Sequence, residues 1–302
     1  MKILIAHDGS PGADEAINDL PRAGMPGEAE ALIINIKELW LPHFSKKPEI
    51  NHFVASSTSS AAKYAPALIE MPIDAPVEQL KILNLAAELL HSKFPDWKTE
   101  KLHLTGSPAR EILDQTKVWG ADLVIVGSNG SMGSKQYVLG SVSQKIANEA
   151  NCSVRVVRGE SWKNGSPSRL LIALDGTTSS LAAVTEVTRR MWSMGSEVRL
   201  LIVQDSLQDV SGSVCEYVED AKKHLIAADL SVTELIEEGD PKQLIVSAAE
   251  EWGADCIFLG ANGSGRFYED LLLGSVSTAV VARAHCTVEI VRKKMTGTTP
   301  GV

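Results

Sequence analysis

The 302-residue chain repeats itself, and that repeat constrains its fold more than any other feature. Residues 3–9 (ILIAHDG) return as 170–176 (LLIALDG), and residues 119–130 (WGADLVIVGSNG) return as 252–263 (WGADCIFLGANG). Residues 140–143 and 274–277 are both GSVS, and the runs closing each copy, 151–155 and 285–289, also correspond. Asp8 and Asp175 are 167 residues apart, as are Ile36 and Val203, whereas Gly106 and Gly239, like Gly127 and Gly260, are 133 apart. The first copy therefore carries 34 extra residues between Ile36 and Gly106. The irregular stretch 42–76 is the place for them, and a loop of that length inside a compact unit is either functional or mobile.

Each copy alternates short apolar runs with helical periodicity. Strands are expected near 2–6, 30–36, 98–104, 121–127 and 153–158, and again near 169–174, 197–203, 232–237, 254–260 and 286–292. Between Pro76 and Phe94, the residues Val77, Leu80, Leu83, Ala87, Leu90 and Phe94 fall on one helical face. Strands apolar on both faces and separated by helices predict a parallel sheet covered on both sides. The length suits two domains, expected at 1–160 and 168–294, with a polar linker between them and a flexible tail at 295–302.

In such a sheet, ligands bind beyond the carboxyl ends of the strands. Four features of the first copy meet there: Asp8-Gly9 after the first strand, Ile36 at the end of the second, Gly106 after the third, and the loop from Gly127 through Gly130 to Gly140-Ser141 after the fourth. Glycine permits close backbone approach, and the first N–H groups of the helix entered at Ser141-Val142 have no internal acceptor. A carboxylate on one side and an anion cradle on the other suit a nucleotide. The same residues have a plainer reading: Gly-x-x-Gly is often only a tight turn, and Asp8 equally suits a cap on the helix entered at Ser10-Pro11.

The Gly-x2-Gly-x9-Gly-Ser pattern of Gly127, Gly130, Gly140 and Ser141, in register with Asp8, resembles the universal stress protein family, and the resemblance covers nearly the whole chain as two tandem copies. It implies two five-stranded, Rossmann-like parallel-sheet domains of the adenine nucleotide alpha hydrolase type, paired through their fifth strands into an internal pseudo-dimer. It further implies ATP or another adenine nucleotide, with Mg2+ or Mn2+ on the phosphates. Asp8 and Gly9 would meet the adenosine end, Ile36 the adenine, and Gly127, Gly130, Gly140, Ser141 and Val142 the ribose and phosphates. The second-copy counterparts are Asp175, Val203, Gly260, Gly263, Gly274 and Ser275. Its loop is one residue longer and carries Glu269-Asp270, so the first copy is expected to be the firmer site.

The resemblance points to a nucleotide-responsive, stress-related regulatory protein with an unidentified protein partner and a homodimer as a further assembly. A slow ATPase at the same site and a nucleotide-free interaction scaffold are the alternatives. Lys135 and Arg266 stand in the loops without an obvious general base, and neither a P-loop nor a nucleophile elbow occurs. A formal charge of −9 without a basic cluster argues against nucleic acid. The N-terminus enters a strand directly and no run reaches membrane-spanning length, so a cytoplasmic protein is expected. Cys152 and Cys286 read as small buried residues, and neither cysteine nor histidine spacing suggests a metal site.

Overall fold

The computed structural model describes residues 1–38, 77–128, 139–159, 166–204, 212–262 and 273–292. Its first half comprises β1 (Lys2–Ala6), α1 (Pro11–Asn18), a 3-10 turn (Leu20–Arg22), β2 (Glu30–Glu38), α2 (Val77–Lys93), β3 (Lys98–Gly106), α3 (Pro108–Trp119), β4 (Leu123–Gly127), α4 (Ser141–Glu149) and β5 (Ser153–Val157). The second half repeats the order with β6 (Arg169–Leu174), α5 (Thr178–Thr188), β7 (Glu197–Gln204), α6 (Gly212–Ala227), β8 (Ser231–Glu238), α7 (Pro241–Trp252), β9 (Cys256–Gly260), α8 (Ser275–Arg283) and β10 (Thr287–Val291). The expected insertion and the tail lie outside the described residues, as do Gly130, Lys135, Gly263, Arg266, Glu269 and Asp270.

All ten strands form one sheet in the order β3-β2-β1-β4-β5-β10-β9-β6-β7-β8. Every neighbouring pair is parallel except β5 with β10, which is antiparallel. The expected pseudo-dimer is therefore present: two five-stranded, doubly wound halves joined edge to edge through their fifth strands. In each half the winding reverses between the first and fourth strands, which opens a crevice at their carboxyl ends.

Alternation within β1 shows why its run is apolar throughout. Leu4 packs into a cluster on one face of the sheet, while Ile3 and Ile5 pack into another on the opposite face. The first cluster is continuous across the seam, joining Val124 and Val154 to Ile257 and Val288. On the other face each half keeps its own core. The apolar face of α2 is buried only from Leu83 onward, through Ala86 and Leu90. Val77 and Leu80, expected on that face, are exposed, because the first turn and a half of the helix lies outside the packed core.

The seam carries charge. Arg155 on β5 faces Glu289 on β10 directly, between the apolar pairs Val156–Val288 and Val154–Ile290. Both charged residues are buried, at 1% and 0% exposure. Arg155 donates from Nη1 to Glu289 Oε2 at 2.9 Å and from Nε to Asp19 Oδ2 at 2.6 Å. Arg190 donates from Nη1 to Glu289 Oε2 at 3.0 Å and from Nη2 to Glu186 Oε1 at 2.9 Å, and Arg189 also pairs with Glu186. Two further arginines latch the halves reciprocally. Arg158 donates to the Ala284 carbonyl at 2.8 Å, and Arg292 donates to the Ala147 carbonyl at 2.7 Å.

Candidate nucleotide site

The carboxyl-end crevice of each half is built from three pieces: a turn after the first strand, a neck after the fourth, and a helix N-terminus. The first turn begins with a carboxylate. Asp8 Oδ1 accepts the Ser10 N–H at 2.9 Å, an Asx turn that leaves the exposed carboxylate at the strand end. Asp8 does not cap α1. That role belongs to Ser10, whose Oγ accepts the Ala13 N–H, with Pro11 following in the first helical turn. Between them Gly9 has φ of +85°, a conformation that suits glycine. In the second half Asp175 Oδ1 accepts from the Thr177 N–H at 3.0 Å and its hydroxyl at 2.6 Å, and Thr177 caps α5.

The neck closes the long loop at its base. Gly140 N–H donates to the Ser128 carbonyl at 2.7 Å, and Gly274 N–H donates to the Ala261 carbonyl at 2.8 Å. One residue further in, Ser143 Oγ donates to the Gly127 carbonyl at 2.6 Å, and Ser277 Oγ to the Gly260 carbonyl at 2.9 Å. These two serines were visible in the repeated GSVS, but their role in tying helix to strand end was not. The neck brings Gly127 to Gly140-Ser141, and Gly260 to Gly274-Ser275, whatever path the intervening loop takes.

With glycine at the N-cap, α4 and α8 have no side-chain cap. Their first N–H groups, from Ser141-Val142 and from Ser275-Val276, keep their donor capacity and the positive end of the helix dipole. Ser141 and Ser275 are exposed at this end. Such an end can hold a phosphate oxygen.

In the second half these pieces enclose a cavity of about 450 Å³. Its walls include Asp175, Val203, Gly260, Gly274 and Ser275, which brings together the described members of the expected second site. Ile245 and Leu259 extend the apolar wall beside Val203. Leu259 belongs to the repeated run 252–263, whereas Ile245, on α7, carries no motif and only the fold places it there. In the first half, Asp8 and Gly9 follow β1, Ile36 lies near the end of β2 partly buried against the core, Gly127 ends β4, and Gly140, Ser141 and Val142 open α4. All of those positions except Gly9 correspond to second-half wall residues.

A second cavity, of about 640 Å³, lies at the seam beside Met1, Asp122, Ser153, Arg189 and Arg292. It opens at the amino ends of the first-half strands and beside the carboxyl end of β10, shares no wall residue with the second-half crevice, and is bordered by no glycine neck. Size alone does not make it the ligand site; the convergent groups are at the carboxyl edges.

Among the described residues, no group of three or more His, Cys, Asp or Glu side chains could hold a metal ion. No helix among them is long and apolar enough to cross a membrane.

Comparison with known proteins places these features in a family. Residues 49–158 and 167–292 match the model of the universal stress protein family. The first match begins beyond Asp8 and Ile36, whereas their counterparts Asp175 and Val203 fall within the second. The chain is 31% identical over 159 residues to the universal stress protein YxiE of Bacillus subtilis, covering 52% of this chain and 98% of that protein. It is 28% identical over 202 residues to a universal stress protein of Mycolicibacterium smegmatis, covering 62% of this chain and 67% of that one. A solved universal stress protein from Archaeoglobus fulgidus shares the fold across 97% of this chain and 96% of its own, with a TM-score of 0.64 at 20% identity.

Proposed function

The chain belongs to the universal stress protein family, and on that footing we propose that it is an adenine nucleotide-binding regulatory protein of the stress response. The observation that carries this reading is the second-half cavity. An apolar wall, a carboxylate and an uncapped helix N-terminus face one space of about 450 Å³, within the range of small-molecule sites. The wall of Val203, Ile245 and Leu259 takes the flat, weakly polar base. Asp175 accepts hydrogen bonds from the ribose or base edge, and the N–H groups at Ser275-Val276 take phosphate. The first half offers Ile36, Asp8 and Ser141-Val142 in the same roles. A divalent ion, Mg2+ or Mn2+, would sit on the phosphates, since the described walls supply no cluster of protein ligands. Nucleotide occupancy changes the surface offered to a protein partner.

A titration of full-length protein with ATP tests this. Ser275→Glu places a carboxylate where phosphate would lie, and a carboxylate at a helix N-terminus favours the helix itself. Like-charge repulsion is expected to weaken that half by about a hundredfold or more. Ser141→Glu acts likewise on the first half, and the double variant is expected to lose binding. A double variant that binds as the wild type does would place the nucleotide elsewhere.

A further inference from the structure

The two crevices differ in what lies beneath them. In the first half a buried polar chain supports the Asp8 turn. His7 is 4% exposed, and its Nδ1 lies 3.3 Å from the Gly9 N–H, while its Nε2 lies 3.0 Å from Asp14 Oδ1 on α1. The His7 carbonyl accepts from Asn35 Nδ2 at 2.8 Å, and Asn35 Oδ1 lies 3.2 Å from His103 Nδ1 on β3. By the 167- and 133-residue offsets, His7, Asp14, Asn35 and His103 correspond to Leu174, Leu181, Ile202 and Ile236. The second half is aliphatic at all four positions. Its turn is held instead by Thr177, and by the Ser180 Oγ, 3.4 Å from the Asp175 N–H.

The donor pattern points to one tautomer of His7. A backbone N–H can only donate, so His7 Nδ1 accepts, and the ring proton is on Nε2 facing Asp14. His103 lies beyond Asn35. The Asn35 amide nitrogen serves the His7 carbonyl, so Asn35 Oδ1 accepts and His103 Nδ1 donates. That bond survives whether His103 is neutral or charged. His7 differs. A second proton would occupy Nδ1, and the Gly9 N–H would then face an N–H instead of a lone pair. The charged group in contact with the ring is Asp14, from α1. No cation faces it among the described residues, and Asn35 is neutral.

We propose that His7 is a positioning residue that holds the Asp8-Gly9 turn in its nucleotide-binding geometry only as the neutral imidazole, so that the first half loses affinity in acid while the second does not. The inference rests on the reading of both crevices as adenine nucleotide sites. It gives the tandem chain one proton-sensitive and one proton-insensitive site, sharing one sheet.

The test uses full-length Ser275→Glu protein to report the first half and Ser141→Glu protein to report the second. Each is titrated with ATP from about pH 8 to about pH 5, where imidazoles change charge. ATP's own protonation affects both, so the readout is the ratio of first-half to second-half affinity. Loss of one positioning hydrogen bond is expected to lower that ratio by about three- to tenfold. His7→Asn, which keeps a non-titrating acceptor at the δ position, is expected to flatten the ratio. His7→Leu is expected to fix it near the acid value at every pH. A second measurement needs no variant: imidazole 15N shifts of the unliganded protein at pH 8 are expected to show Nε2–H with a bare Nδ1. A ratio that does not move with pH overturns the proposal. So does a full pH dependence in His7→Asn, or a bare Nε2. If neither protein binds ATP at pH 8, the nucleotide reading falls and takes this inference with it; binding at pH 8 without a His7-dependent fall defeats this inference alone.

Discussion

Glu289→Met is expected to cost about 3–5 kcal/mol of stability, read as a shift in the midpoint of urea unfolding. The seam explains the size. Arg155, Arg190 and Arg189 are matched there by Asp19, Glu186 and Glu289. Glu289 is the central carboxylate, fully buried and shared by Arg155 and Arg190. Removing it takes the shared carboxylate away from two buried arginines, between two halves that meet only if their edges pair. Arg155→Met together with Glu289→Met removes both members of the facing pair and fills the space with apolar side chains, leaving only the partly exposed Asp19 without its arginine. The double variant is therefore expected to recover at least half of the single variant's loss. If the two losses simply add, the residues do not act as a pair.

The same group makes a prediction about pH. Burial opposes ionisation of Glu289, but Arg190 and Arg155 together outweigh it and hold the carboxyl below the ordinary glutamate range. A group with a lowered folded-state value stabilises the fold fully above its unfolded value, about 4.3, and loses that contribution as pH falls through the folded one. The gap between wild type and Glu289→Gln is thus expected to be constant above about pH 5 and to shrink in stronger acid.

The second large effect is expected from Gly127→Ala and Gly260→Ala. A Cβ on Gly127 would stand 2.5 Å from the Gly12 carbonyl oxygen, and one on Gly260 would stand 2.5 Å from the Ser179 carbonyl carbon. These are backbone atoms of the helices that cross the strand ends, and Ala13 and Ala16 already pack α1 onto the core. The helix has to move as a body. A cost of about 3 kcal/mol, at the upper end for overpacking, is expected for each in thermal or urea unfolding. Displacing α1 or α5 also displaces the Asp8 or Asp175 turn, so nucleotide affinity should fall in the same half. Gly27→Ala is the control. Nothing lies within 4 Å of its added carbon, and a change within about 0.5 kcal/mol is expected.

That pair of glycines marks a limit of what could be read from residues alone. Gly127 stood out as part of a ligand loop, and its position at a strand end is as expected. The reason it is glycine, however, is the approach of the chain's own backbone at Gly12, which a linear pattern cannot distinguish from the approach of a ligand. The pairing of the fifth strands was expected, but the charge pair on their seam was hidden for a different reason. Arg155 and Glu289 were aligned by the repeat, but opposite charges at equivalent positions carry meaning only once the antiparallel register of β5 and β10 sets them opposite each other. Asp8 illustrates a third case, since both a cap and a ligand group fitted its neighbours. The bond from the Ala13 N–H to Ser10 Oγ gives the cap to Ser10 and leaves Asp8 at the crevice. What did come through was whatever repeats. The alternation of strand and helix in each half and the helices entered at Ser141 and Ser275 follow from two copies sharing one spacing.

The most direct test of the central claim is photoaffinity labelling of the full-length protein with an azido-adenine nucleotide, followed by peptide mapping. The account predicts that the label falls on the peptides holding Val203 and Leu259, and on that holding Ile36, and that excess ATP competes it away. Label confined to the seam cavity around Asp122 and Arg189, or label that ATP does not displace, would contradict it.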